Sequence, residues 1–166
     1  LVSSSVQDII QTHLSKYGTL KNLPDKVAIH INDTHPALAI PELMRILLDE
    51  CGFSWDEAWD ITTRTVAYTN HTVMSEALEV WPEDLFRSLL PRIYQIVVEI
   101  NKRTCAVLAV KTNQNMEKVS NMAVISYGMV KMANLSVIGS HSVNGVSKLH
   151  SDILKDTVFN DFYSVY

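Results

Sequence analysis

Cysteine is nearly absent. The 166-residue sequence has two, Cys51 and Cys105, too few for a disulfide framework, and they read as reduced thiols of a cytosolic protein. No apolar run reaches the roughly 18 to 20 residues that span a bilayer, so no membrane partner is expected. Leu1-Val2-Ser3 has no basic stretch leading into an apolar one, so no signal peptide is read there and the expected location is cytoplasmic. Basic residues are outnumbered. A net charge of -4 leaves no footprint for nucleic acid. No G-x-G-x-x-G or P-loop phosphate motif occurs. His30 and His35 straddle a predicted strand-to-turn break, and His141 and His150 lie nine apart. Neither pair has the one-face spacing of a helical zinc site, and no cysteine supports them, so no metal is expected. Internal repeats and low-complexity linkers are also missing.

What is present is an ordinary globular composition, 47% apolar and 19% charged, in a chain long enough to bury a real core. It starts without Met and stops in the aromatic run Phe162-Tyr163-Ser164-Val165-Tyr166. Both ends read as cut, and the expectation is a single partial domain over residues 1–166 of a longer protein.

Val6, Ile9, Ile10, His13 and Leu14 fall at helical spacing and predict a helix over 4–16. Residues 26–31 alternate with β-branched residues on one face and predict a strand. Asn32-Asp33-Thr34-His35-Pro36 follows as a strand-to-helix turn. Pro41 interrupts early, and a helical run then continues to about Glu50. Ser54-Trp55-Asp56-Glu57 is a capping box that opens another helix. Thr65–Thr69 is a second strand. Pro82 and Pro91 each sit where a helix can begin. Residues 111–121 are the most polar stretch and predict a surface turn region. Ile125, Met129 and Met132 predict a helix, Leu135–Ile138 a third strand, Gly139–Gly145 a turn, and Val146, Leu149 and Ile153 a last helix. Strands alternating with helices imply parallel pairing, hence an α/β fold that is helix-rich with about three short parallel strands.

Three polar clusters follow the predicted strands: Asn32-Asp33-Thr34-His35, Asn70-His71-Thr72, and Ser140-His141-Ser142-Val143-Asn144-Gly145. Ligands of open α/β sheets bind outside the carboxyl ends of the strands, so the clusters are expected to face one crevice. Neutral donors and acceptors with one carboxylate suit a polyhydroxylated ligand better than a phosphate or a metal. Each cluster also fits a plainer role: Asp33-Thr34 as a helix cap, His71 as a hydrogen-bonded structural histidine, Asn144-Gly145 as a turn. Their recurrence at three strand ends favours the site.

Several strings resemble the glycogen and maltodextrin (α-glucan) phosphorylases. They are Asn32-Asp33-Thr34-His35-Pro36 with Ala39-Ile40-Pro41-Glu42-Leu43-Met44-Arg45, then Ala67-Tyr68-Thr69-Asn70-His71-Thr72-Val73, Glu76-Ala77-Leu78-Glu79 and Trp81-Pro82. Leu89-Leu90-Pro91-Arg92, Glu99-Ile100-Asn101, Gly139-Ser140-His141-Ser142-Val143-Asn144-Gly145-Val146 and Leu149-His150-Ser151 continue in the same order. The resemblance runs over roughly residues 26–163; residues 105–124 fit it weakly and look shortened.

The resemblance implies part of a Rossmann-like half of a GT-B glycosyltransferase fold, from the later part of the N-terminal half. It implies phosphorolysis of α-1,4-glucan (glycogen, starch or maltodextrin) to glucose 1-phosphate, with the glucan and inorganic phosphate as partners and a homodimer as the usual assembly. The implied cofactor is pyridoxal phosphate, whose lysine has no counterpart here. His71 is the implied catalytic residue, its ring near the sugar 6-hydroxyl and its main-chain carbonyl near the anomeric centre. Asn32, Asp33, His35, Thr72, Asn144, Gly145 and Val146 are the implied substrate-binding residues with it. The alternative is that the isolated chain is a catalytically incomplete fragment acting only as a folded or assembly piece.

Overall fold

The amphipathic stripe of the first residues forms α1 (Val2–Tyr17), which buries Val6, Ile10 and His13. It stops where Gly18 turns left-handed at φ 70°, a conformation open to glycine at no steric cost. A short α2 (Leu23–Lys26) takes Lys26, the first residue of the stretch expected to be strand, and β1 is Ile29–Asn32, starting and ending later than expected. In α3 (Ala39–Arg45) Pro41 lies in the first turn, where a helix has no N–H partner to lose. The proline therefore opens the helix and does not interrupt it. A wider turn, Ile46–Glu50, extends it. The capping box forms as expected: Ser54 accepts from the Glu57 N–H and the Glu57 carboxylate accepts from the Ser54 N–H at 3.0 Å. It opens α4 (Trp55–Thr65), which runs into β2 (Val66–Asn70).

The middle of the chain departs further from the expectations. Helices begin at both prolines as expected, Pro82 preceding α5 (Glu83–Leu89) and Pro91 opening α6 (Pro91–Lys111), but Pro82 also closes an unexpected short β3 (Val80–Pro82). The polar stretch 111–121 is a turn only as far as Asn115, which caps α7 (Met116–Met122) through its side chain. The helix expected through Ile125, Met129 and Met132 is instead a hairpin of β4 (Ile125–Ser126) and β5 (Met129–Lys131). Its two-residue loop, Tyr127 at φ 52° and Gly128 at φ 70°, is left-handed at both positions, which matches strand twist.

Leu135–Ile138 is not a strand. It ends α8 (Met132–Ile138), where Met132, Ala133, Asn134, Leu135 and Ser136 are all buried. A short, mostly apolar run that is buried or half-buried throughout carries no periodicity that separates helix from strand. The third parallel strand is β6 (Ser142–Gly145), which the sequence reading assigned to a turn. The chain closes with α9 (Lys148–Asp156) and α10 (Asn160–Val165). The computed structural model describes all of residues 1–166.

The parallel sheet has the order β1-β2-β6, with Asn32 level with Thr69 and Thr69 level with Asn144. A second, antiparallel sheet, β3-β5-β4, was not anticipated. The fold class is therefore helix-rich α/β with three short parallel strands, as expected. One buried cluster joins Ile31 and Tyr68 of the sheet to Leu43, Met44, Leu47, Ile96, Ile100 and Leu135 of the helices. The other face of the parallel sheet is polar: His30, Asn32, Ser142 and Asn144 are exposed there.

At the edge of this core, the buried carboxylate of Glu42 accepts two hydrogen bonds from Arg45 and one from the Ser3 hydroxyl. The Arg45 hydrogen bonds hold it below its ordinary value of 4.5, Ser3 and the Arg45 charge add to the effect, and burial opposes them. A lowered folded-state value means that the unfolded chain binds the proton more readily. The contribution is therefore complete above the ordinary carboxylate range and is lost as pH falls through the lowered value. Melting temperature followed from neutral to about pH 3 should fall less steeply for Glu42→Gln than for the wild type. Parallel curves would show that Glu42 takes no part in the acid transition.

Candidate functional site

The register brings the ends of the three parallel strands to one edge. Asp33 follows β1, His71 follows β2, and Asn144 and Gly145 end β6 beside Val146. The shared strand edge inferred from the sequence is present in the backbone. The third polar cluster is split, because His141 and Ser142 lie at the opposite, starting end of β6 and only Asn144–Val146 reach the edge.

Side chains tie this edge together. The His71 Nε2–H donates to Asn32 Oδ1 at 2.5 Å, which leaves Nδ1 as the acceptor nitrogen of the ring. Across the polar face, Thr69 Oγ1 donates to Asn144 Oδ1 at 3.2 Å, so His30 Nε2 at 2.6 Å must donate to Thr69. Asn144 Nδ2 donates in turn to the Gly145 carbonyl at 2.8 Å. The row runs in one direction, β1 to β2 to β6.

The turn after β1 is a left-handed residue in a tight bend. Asp33 takes φ 62°, which aspartate tolerates better than most residues. Its N–H donates to the Thr69 carbonyl at 2.9 Å, and its Oδ1 accepts from the Thr34 N–H at 2.7 Å. The plainer reading of Asp33-Thr34 as a helix cap does not hold: α3 starts at Ala39 after Leu38, with no side-chain cap. The other carboxylate oxygen of Asp33 makes no hydrogen bond within the chain. Thr34 donates to Glu79, which also accepts from the Trp81 indole, so the turn is anchored to β3. His35 is exposed beyond it.

The turn after β2 rests on two residues to which the sequence assigns no site role, although Asn70 lies in the second polar cluster and His150 in a quoted string. Asn70 is fully buried. Its Nδ2 donates to the Tyr68 hydroxyl at 2.8 Å and its Oδ1 accepts from the Thr72 N–H at 2.9 Å. Burial pushes the Tyr68 hydroxyl up to about 12, with the Asn70 hydrogen bond acting the other way and the Asp33 charge adding a smaller push upward. His150, also buried, reaches the same turn from α9. The signal that could have found both is position: Asn70 immediately precedes His71, and His150 lies one turn past Val146.

The edge therefore offers amide, imidazole, hydroxyl and main-chain groups with a single carboxylate, Asp33, and no Lys or Arg side chain hydrogen-bonds into it. Such a set matches the hydroxyls of a neutral sugar. A cavity of about 380 Å³ adjoins the β6 side of this edge, walled by Asn144 and Gly145 together with Val143, Leu154, Phe159 and Phe162. It is mostly apolar and does not include Asp33 or His71.

The fold and its polar strand edge define a helix-rich α/β class of protein with a three-stranded parallel sheet. Sequence comparison makes this specific: residues 1–166 match the family model described as carbohydrate phosphorylase, and the chain belongs to that family. It is 53% identical to the glycogen phosphorylase of Bacillus subtilis (strain 168) over 166 residues, covering all of this chain and 21% of that protein. It is 49% identical to the human muscle form over 176 aligned positions, covering 99% of this chain and 21% of that protein. The Haemophilus influenzae glycogen phosphorylase is 46% identical, again with 21% of its length covered. The chain thus spans about a fifth of the length of the curated relatives it matches. The family match includes α1 and residues 105–124, which the strings quoted from the sequence did not reach or fitted weakly.

Proposed function

We propose that this chain supplies one wall of the glucosyl site of an α-glucan phosphorylase. That enzyme would cleave α-1,4-glucan with inorganic phosphate to give glucose 1-phosphate. The observation that carries the reading is the meeting of Asp33, His71 and Asn144 at one sheet edge in a chain of this family.

His71 binds the sugar through Nδ1. With Nε2–H committed to Asn32 Oδ1, Nδ1 accepts a hydrogen bond from a sugar hydroxyl, the 6-hydroxyl in the reading from the family resemblance. The main-chain carbonyl of His71 faces the reacting carbon. A glucosyl transition state carries oxocarbenium character, and a carbonyl dipole already fixed in place stabilises that charge without reorganising. Asp33 presents its unbonded carboxylate oxygen beside the same centre, and Asn144, Gly145 and Val146 close the sugar from the β6 side. Thr72, Asn32 and His35 complete the wall.

Pyridoxal phosphate does not fit the groups present at this edge, which hold no lysine for an aldehyde and no cationic cradle for a phosphate. In this proposal the cofactor and the phosphate are held by the remainder of a longer protein, in a second half facing this one across a GT-B cleft. The working unit would be a cytoplasmic homodimer.

The test is a chimera in which residues 1–166 replace the matching segment of the Bacillus subtilis relative. With maltodextrin, phosphate and pyridoxal phosphate it should release glucose 1-phosphate. The 166-residue chain alone should release none. A folded chimera that releases no glucose 1-phosphate would argue against the proposal.

A further inference from the structure

His150 sits at the start of α9 with both ring nitrogens engaged by main chain. Nδ1 accepts from the Val146 N–H at 3.1 Å, and Nε2 lies 3.2 Å from the Thr72 carbonyl. A nitrogen that accepts from N–H carries no proton, so the proton is on Nε2 and is donated to Thr72. The ring is therefore a neutral strut with one donor and one acceptor, each used once. Its ends lie on two different turns. Thr72 follows His71 at the end of β2, and Val146 follows Asn144 and Gly145 at the end of β6.

The surroundings hold the ring in that pose. The His150 N–H donates to Ser147 Oγ at 3.1 Å, which caps α9. The Ser151 hydroxyl accepts from the Gly145 N–H at 2.9 Å. Gly145 leaves room for the ring: a Cβ there would lie 2.8 Å from His150 Cγ and 2.9 Å from Nδ1, closer than side chains pack. The glycine is thus required by a close approach, at a backbone angle other residues can adopt. His150 is 8% exposed, so water competes little for either bond.

We infer that His150 is a positioning residue that fixes the spacing between the His71 turn and the Asn144–Val146 turn, the two sides of the crevice. Its effect on catalysis rests on the proposed sugar site. Its effect on the two turns does not. The strut touches no sugar itself. Without it the β2 and β6 turns remain joined by the sheet but lose the cross-link beyond the last ladder pair, Asn70 with Gly145.

The 166-residue chain gives a test independent of activity. Imidazole nitrogen shifts measured by NMR should show His150 as the neutral Nε2–H tautomer; the Nδ1–H tautomer would overturn the inference. His150→Ala should shift the amide resonances of Thr72 and Val146 together, and movement of only one would equally overturn it. In the chimera, His150→Ala should lower kcat/KM by about tenfold, the effect of roughly one misplaced hydrogen-bonding turn. His150→Asn keeps an acceptor near Val146 and His150→Gln a donor near Thr72, so each should recover part of the loss. Wild-type kcat/KM in all three variants, with only the melting temperature lowered, would make His150 structural and sink the proposal. An inactive wild-type chimera would count against the proposed reaction alone, and the tautomer and amide shifts would still decide the strut.

Discussion

Tyr68→Ala is expected to destabilise the fold by about 3–5 kcal/mol, the usual range for truncating a buried aromatic. Tyr68 is fully buried on the central strand of the parallel sheet and belongs to the single core cluster. Truncation leaves a cavity and removes the hydroxyl that accepts from Asn70 Nδ2. The amide of Asn70 then lacks a partner in a dry site, directly before His71. Against a typical total of about 5–15 kcal/mol, this is a large share. For a chain of this size it corresponds to a melting-temperature drop of about 10 °C or more.

Tyr68→Phe separates the two contributions. It keeps the packed volume, removes only the acceptor, and should cost about 1–3 kcal/mol. Urea unfolding followed by circular dichroism measures both variants. If the Phe variant were as damaging as the Ala variant, the hydroxyl–Asn70 bond and not the packed ring would dominate. Because burial pushes this hydroxyl up to about 12, neutral and mildly alkaline buffers leave it protonated and the comparison holds across them.

How much the sequence disclosed depends on whether a segment's neighbours are local. The helix of Val6, Ile10 and His13 and the capping box at Ser54 are fixed by contacts within one or two turns, and both formed as expected. β1 was legible because isoleucines alternate along it, and β2 because Val66, Tyr68 and Thr69 are strand formers. β6 was not legible. Ser142–Gly145 is polar because one face of the sheet is uncovered there, and it is a strand only through pairing with β2, more than seventy residues away. The converse error at Leu135–Ile138 has the matching cause: a short, mostly apolar run that is buried or half-buried throughout reads equally as strand or helix. The β4–β5 hairpin was hidden by Tyr127, which takes a left-handed angle that favours Gly or Asn.

The site was more legible than the fold around it. Asn32, Asp33 and His71 reach the expected strand edge because β1 and β2 were found, whereas Asn144 and Gly145 reach it as the end of β6 itself, not as a turn after a strand at 135–138. The supporting roles of residues already in the quoted strings were not legible for a physical reason. Asn70, Glu79 and His150 act through buried hydrogen bonds to distant main-chain and side-chain partners, and no spacing along the chain records such bonds.

The account's central claim is that the β1–β2–β6 edge holds a glucosyl unit with His71 against it. His71→Ala in the active chimera tests this most directly. The substitution removes the imidazole but leaves the main-chain carbonyl in place. A sugar hydroxyl loses its acceptor, and leaving such a group unpaired in a closed site costs about 1–3 kcal/mol. Since 1.36 kcal/mol is about tenfold in rate, kcat/KM should fall roughly tenfold to a few hundredfold. Loss of a nucleophile or general acid would be far larger. Stability should change little, because His71 is exposed and its one hydrogen bond is to exposed Asn32. The measurement is kcat/KM for phosphorolysis beside the melting temperature of the same preparation. The account predicts a fall in kcat/KM of that size at an unchanged melting temperature. A variant that melts several degrees lower yet keeps wild-type kcat/KM would contradict it and return His71 to a structural role.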